Sequence, residues 1–118
     1  MKYLISLIFA GAAATALFVQ PAAATTGKEL YAACKADGAR KVECDAYIRG
    51  FVDGMIMGYT AHGTVRGYCP PVTGIPPARG RAIVETWLRD HPERLGGDAG
   101  ILAGLALAEA FPCTKRER

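Results

Sequence analysis

Four cysteines, two histidines and a few acids are the residues here with chemical potential, and their spacing decides what they can do. Cys34, Cys44, Cys69 and Cys113 form no C-x-x-C pair, and His62 and His91 stand at no paired spacing, so zinc binding and haem attachment are disfavoured. In an oxidising compartment an even cysteine count reads first as two disulfides, which leaves no thiolate nucleophile. Neither histidine lies beside a nucleophile with a recognisable signature. His91 precedes Pro92, a place where an imidazole more often caps the last carbonyls of a helix than catalyses. Asp53, inside an apolar stretch, is the carboxylate expected to be partly buried, with Arg49 one helical turn earlier as its ion-pair partner. No phosphate loop, nucleophile elbow, paired-carboxylate cleft or metal motif is present. The residues favour a binding protein over an enzyme, with no cofactor and no metal.

The oxidising compartment is read from the first 24 residues. Lys2, the apolar run from Tyr3 to Val19 and the small-residue exit Ala22-Ala23-Ala24 have the build of a cleavable secretory signal, so the mature chain is expected to begin near Thr25. The apolar run approaches the length that spans a bilayer, but Gly11 and the Ala-x-Ala exit favour cleavage over a retained anchor, and no membrane association is expected afterwards. Cleavage removes one lysine and no acid, so the formal charge falls from +3 to +2. That balance, with a basic cluster only at Lys115, Arg116 and Arg118, argues against a nucleic-acid surface. What remains, residues 25–118, is enough for one domain and small enough for covalent staples to matter.

Four elements must position these residues. Gly27 to Ala36 reads as a helix whose capping box is Thr26 with Glu29, stopped by Asp37-Gly38. Tyr47, Phe51, Met55 and Tyr59 recur every four residues, joined by Ile48, Val52 and Ile56, and predict a second helix from about Glu43 to Ala61. On another face of it run Ala46, Gly50, Gly54 and Gly58. Each interior glycine costs about 1 kcal/mol against alanine, a cost offset only where another backbone comes close: a neighbouring helix of the same domain or the partner subunit of a dimer. Residues 62–77, with three glycines, four prolines and Cys69, form a long connection. Ile83, Val84, Trp87 and Leu88 share one side of a third helix, about Ala78 to Asp90, which His91-Pro92 ends. After Glu93 to Gly97, Asp98 caps a last helix carrying Ile101, Leu102, Leu105 and Ala108 or Glu109, which closes at Phe111-Pro112-Cys113. The expected fold is all-α, a small four-helix bundle-like domain with two disulfides, with no period-two strand and no internal repeat.

Cys34 near the end of the first helix and Cys44 at the start of the second flank a short turn, so a helical hairpin brings them together. Cys69 and Cys113 then form the second bridge. The sequence alone permits three connectivities, and this is the expected one.

The runs Cys44-Asp45-Ala46-Tyr47-Ile48-Arg49-Gly50-Phe51-Val52-Asp53-Gly54, Tyr68-Cys69-Pro70-Pro71, Ile83 to Glu93 and Ala106 to Cys113 together resemble the Rap/Tai family of immunity proteins over nearly the whole mature chain. The most specific pieces are C-x-x-Y-x-x-G-x-x-D-G, the His-Pro-Glu after the third helix and the closing Phe-Pro-Cys. The chain departs from the family at Pro70, where an aliphatic residue is usual, and at Gly74-Ile75-Pro76-Pro77-Ala78-Arg79, where a Gln usually opens helix three. A differently shaped long connection is therefore expected. The resemblance implies a disulfide-bonded helical bundle in the periplasm that neutralises a peptidoglycan amidase toxin delivered by type VI secretion. It also implies a dimer that presents the loop between the last two helices to the toxin's catalytic groove. Carried onto this chain, the loop spans Arg89 to Asp98: His91, Pro92 and Glu93 shape it, Arg94, Leu95 and Gly96 form its tip, and Arg89 and Asp98 bound it. A second reading, from a different class, is a general periplasmic stress protein resembling the small helical acid-stress chaperones, with no toxin partner.

Overall fold

A computed structural model describes residues 25–63, 67–71 and 73–114. The segment read as an export signal, residues 1–24, lies outside the described residues, as does the basic cluster at 115–118.

Thr26 opens the first helix, α1 (Gly27–Lys35), through the expected capping box: its hydroxyl accepts from the Glu29 amide at 3.3 Å while the Glu29 carboxylate accepts from the Thr26 amide at 2.7 Å. These hydrogen bonds hold the Glu29 carboxyl below its ordinary pKa, the backbone bond from Thr26 being the largest cause. Gly38, at a φ of 64° open mainly to glycine, reverses the chain. The second helix, α2 (Ala39–His62), therefore starts four residues before its expected position. Its first turn is a solvated run, with Val42 largely exposed, so no apolar period marks it. α3 (Pro77–Asp90) begins on a proline, as first-turn geometry permits, and α4 (Ala99–Ala110) is capped by Asp98, whose Oδ1 accepts from the Ile101 amide at 3.0 Å. Among the described residues the regular structure is all helical apart from two isolated bridges, Thr26 with Asp98 and Tyr68 with Pro112.

The core takes one stripe from each helix: Leu30, Ala33 and Cys34 of α1; Cys44, Ile48 and Val52 of α2; Val84, Trp87 and Leu88 of α3; and Leu102, Ala103, Ala106 and Leu107 of α4. On α2 the innermost stripe is Cys44-Ile48-Val52, while Tyr47, Phe51 and Met55 are half-buried at its edge. On this helix the compact side chains lie deepest and the rings close the rim, while Trp87 and Tyr68 bring large rings into the core from elsewhere in the chain. Across α2 and α3, Arg81 Nη1 lies 2.6 and 2.7 Å from the two carboxylate oxygens of Asp45.

Both expected disulfides are formed, Cys34–Cys44 and Cys69–Cys113, and among the described residues no cysteine is free. The second holds the long connection against the exit of α4. Beside it Tyr68 is fully buried, packs edge-on against Phe111 at 6.4 Å, and the Cys69 amide donates to the Phe111 carbonyl at 3.0 Å. The connection meets the core through Tyr68, this bridge and that backbone hydrogen bond, and through Ile75, which packs half-buried against the core further along. Among the described residues no helix is long and apolar enough to cross a membrane.

Candidate functional site

The segment Arg89–Asp98 leaves the end of α3 and is shaped by contacts at both ends. At its root, the His91 Nδ1–H donates to the Trp87 carbonyl at 2.7 Å, capping α3 as expected, while the imidazole stacks on the Trp87 indole at 3.9 Å and 19°. Trp87 is fixed in turn by its Nε1–H, which donates to Glu109 of α4 at 2.8 Å. Pro92–Arg94 then makes a single 3₁₀ turn, in which the His91 carbonyl accepts from the Arg94 amide at 3.0 Å. The Arg94 carbonyl accepts from Gly97 at 2.9 Å. Asp98 closes the segment by capping α4.

Pro92, Glu93, Arg94 and Gly96 are exposed, whereas Leu95 turns partly inward against the core. Arg89 pairs with its neighbour Asp90 at 3.0 Å, both in solvent. Among the described residues neither Glu93 nor Arg94 has an ion-pair partner; the Arg94 guanidinium instead lies 5.9 Å from the Trp87 ring centroid. The loop thus offers one free acid and one adjacent base on a turn whose backbone is fixed.

Beside the loop root, a shallow cleft of about 500 Å³ opens between α3 and α4, lined by Ile83, Trp87, His91, Ala106 and Glu109 among others. A second cleft, about 370 Å³, lies between α2 and Thr73–Pro77. Asp53 and Arg49 are on its rim, which corrects the expectation of a partly buried Asp53 paired with Arg49: both are exposed, and among the described residues no ion pair joins them. Residue 53 falls on the solvent side of α2, nearly opposite Cys44 on the helix, and the partly buried carboxylate of α2 is Asp45, held by Arg81. Among the described residues no three His, Cys, Asp or Glu side chains cluster as metal ligands would.

The glycine face of α2 is also corrected in part. A Cβ built at Gly50 or Gly54 would meet nothing within 4 Å, so no helix among the described residues packs closely there. Gly58 continues that face half-buried. The close approach occurs on α4, where a Cβ at Gly104 would lie 3.3 Å from Phe51 Cζ. Apolar side chains also stand in solvent on both helices: Met57 (69 % exposed) on α2, and Ile101 (66 %) and Leu105 (41 %) near Gly104 on α4.

A family model described as Rap1a immunity proteins matches residues 26–113. The chain belongs to this family. None of the curated proteins and none of the solved structures matches it. The Rap1a match runs from the α1 cap to the last cysteine, so it takes in both disulfides and the whole loop between α3 and α4. Trp87–Glu109 and Asp45–Arg81 were not expected from the sequence. Each joins residues far apart in the chain, and no local spacing signals them.

Proposed function

We propose that this Rap1a-family chain is a periplasmic immunity protein, exported by the signal at residues 1–24, that binds and occludes a peptidoglycan amidase toxin delivered by type VI secretion. The observation carrying this reading is the loop: an exposed turn, Pro92 to Gly96, whose backbone is fixed from both sides before any partner arrives. A preorganised loop loses little conformational freedom on binding, which is what a tight blocking contact needs. Binding by this loop excludes substrate by surface burial and requires no catalytic group. Co-expression with the toxin encoded beside its gene tests the reading. Growth should be restored by the native chain and lost with the charge reversal Glu93→Lys/Arg94→Glu, in a variant that still folds. An unprotected host, or full protection by the reversed loop, would reject the assignment. Suppression of aggregation at low pH without a toxin partner is the result expected of the chaperone reading instead.

The same reading includes a homodimer joined through Gly50, Gly54 and Gly58 of α2 with the exposed Met57, Ile101 and Leu105. Gly50 and Gly54, which nothing among the described residues fills, and apolar side chains in water on α2 and α4 support it. Sedimentation should show a dimer that Gly54→Leu dissociates; a monomer at tens of micromolar would count against it.

A further inference from the structure

The first described residues do more than open α1. They run beside the α3–α4 loop as a short antiparallel bridge between Thr26 and Asp98. The Gly27 amide donates to the Gly97 carbonyl at 2.9 Å, the Lys28 amide to the Leu95 carbonyl at 2.8 Å, and the Ala99 amide to the Thr25 carbonyl at 2.8 Å. Two of the first amides of α1, which have no partner within their own helix, are thereby satisfied by loop carbonyls. Gly27 is buried at the crossing. A Cβ there would overlap the Leu102 side chain and press on the Leu95 carbonyl oxygen 3.2 Å away. Leu102 is itself core and Leu95 O is backbone, so neither gives way easily.

We infer that Thr25–Lys28 is a strap that sets the conformation of the α3–α4 loop, with Gly27 as the positioning residue that lets the two backbones meet. The inference rests on the reading of that loop as the partner-binding element. It gives the mature N-terminus a role in recognition although no residue of the strap need touch the partner. If export cuts before Thr25, the strap begins at the first mature residue, and a cut one position later would remove the Thr25 carbonyl that receives the Ala99 amide.

The test uses the mature chain, with Gly27→Val to force the backbones apart, Gly27→Ala as a milder variant, and Thr26→Ala as a control. Thr26→Ala weakens α1 by removing the cap hydroxyl but leaves every strap hydrogen bond in place. Limited trypsin digestion reads the loop at Arg94, exposed and one residue before Leu95. Surface binding reads affinity for the purified amidase encoded beside the gene. With Gly27→Val, cleavage after Arg94 should quicken at least tenfold and the amidase should bind at least tenfold more weakly, with Gly27→Ala intermediate and Thr26→Ala close to native in both. Adding Leu102→Ala to Gly27→Ala should restore part of the protection at Arg94. Equal cleavage at Arg94 in Gly27→Val and Thr26→Ala would overturn the strap, reducing Gly27 to a helix-start residue. Faster cleavage with unchanged amidase affinity would leave the strap standing and overturn the loop as the recognition element.

Discussion

Removing the Cys69–Cys113 bridge should cost this protein a large part of its stability, through the unfolded chain rather than the folded one. The two cysteines are 44 positions apart, and loop-closure entropy for a ring of that size is worth about 4 kcal/mol. The Cys34–Cys44 ring, with a separation of 10, is worth about 2.8 kcal/mol on the same footing. Burial separates the two cases further. Cys34 and Cys44 are inside the core, so replacing them also loses packing, whereas Cys69 and Cys113 are only half-buried. The double variant Cys69→Ala/Cys113→Ala therefore isolates the entropic effect. Against a total of roughly 5 to 15 kcal/mol, a loss of about 4 is severe. For a domain of this size it corresponds to a fall in Tm on the order of 20 °C. Urea unfolding followed by circular dichroism measures both relevant quantities, because an unconstrained denatured state is more expanded and gives a steeper m-value. A loss below about 1 kcal/mol with an unchanged m-value would refute the reasoning. It would mean that the unfolded chain is already compact without the bridge.

Tyr68→Phe should stabilise the domain by about 1 kcal/mol in the same assay, because among the described residues the buried Tyr68 hydroxyl has no hydrogen-bond partner. Burial raises the pKa of Tyr68, and burial with the nearby Asp98 charge raises that of Tyr47. Both therefore contribute stability that is present below the ordinary tyrosine range and lost as pH climbs through their raised values, so Tyr68→Phe should shift the onset of alkaline unfolding upward. Glu29 works in the opposite direction: its pKa is lowered, so its contribution is present above the ordinary carboxylate range and disappears as pH falls through the folded value. Amide exchange at the start of α1 should quicken on acidification in the native chain, and Glu29→Gln should flatten that response. Gly50→Ala should stabilise the isolated monomer by about 1 kcal/mol, since the added methyl meets nothing and only the helix propensity changes. Gly80→Ala should fail to gain it, because there the methyl would sit 3.2 Å from Ile48 Cγ2 in the core.

What could be read in the sequence was local. The Thr26–Glu29 box, the reversal at Asp37-Gly38, the stop at His91-Pro92 and the Asp98 cap each depend on residues within four positions of one another, and all are where spacing placed them. The Cys34–Cys44 bridge was legible for the same reason. Cys69–Cys113 followed because only two cysteines were left. The stripe Tyr47-Phe51-Met55-Tyr59 gave the right helix but no depth, since a four-residue period shows which residues share a face but not which edge of that face lies deepest. Asp45–Arg81, Trp87–Glu109 and the strap at Gly27 join segments brought together only by the tertiary fold. Nothing at either partner's own position in the chain reports the other.

Glycine shows how far such legibility extends. On α2 the repeat of Gly50, Gly54 and Gly58 is conspicuous, and at the first two the packing among the described residues makes no use of it. On α4, Gly100 and Gly104 stand in an unbroken apolar run with no charge from Ala99 to Ala108, where small residues attract no notice. There Phe51 lies within 3.6 Å of a Cβ at the first and 3.3 Å at the second, so these two glycines let α2 and α4 approach. The same helix leaves Ile101 and Leu105 in water, although a helix apolar on all sides normally has all its sides covered. One side of α4 is therefore accounted for by the monomer and the other is not. By helical position, Gly50 and Gly54 fall beyond Phe51 from the core stripe of α2, and Ile101 and Leu105 fall beyond Gly104 from the core stripe of α4. A single partner surface laid across Phe51 would cover both, which is why the glycine repeat and the bare flank of α4 are better treated as one feature than as two.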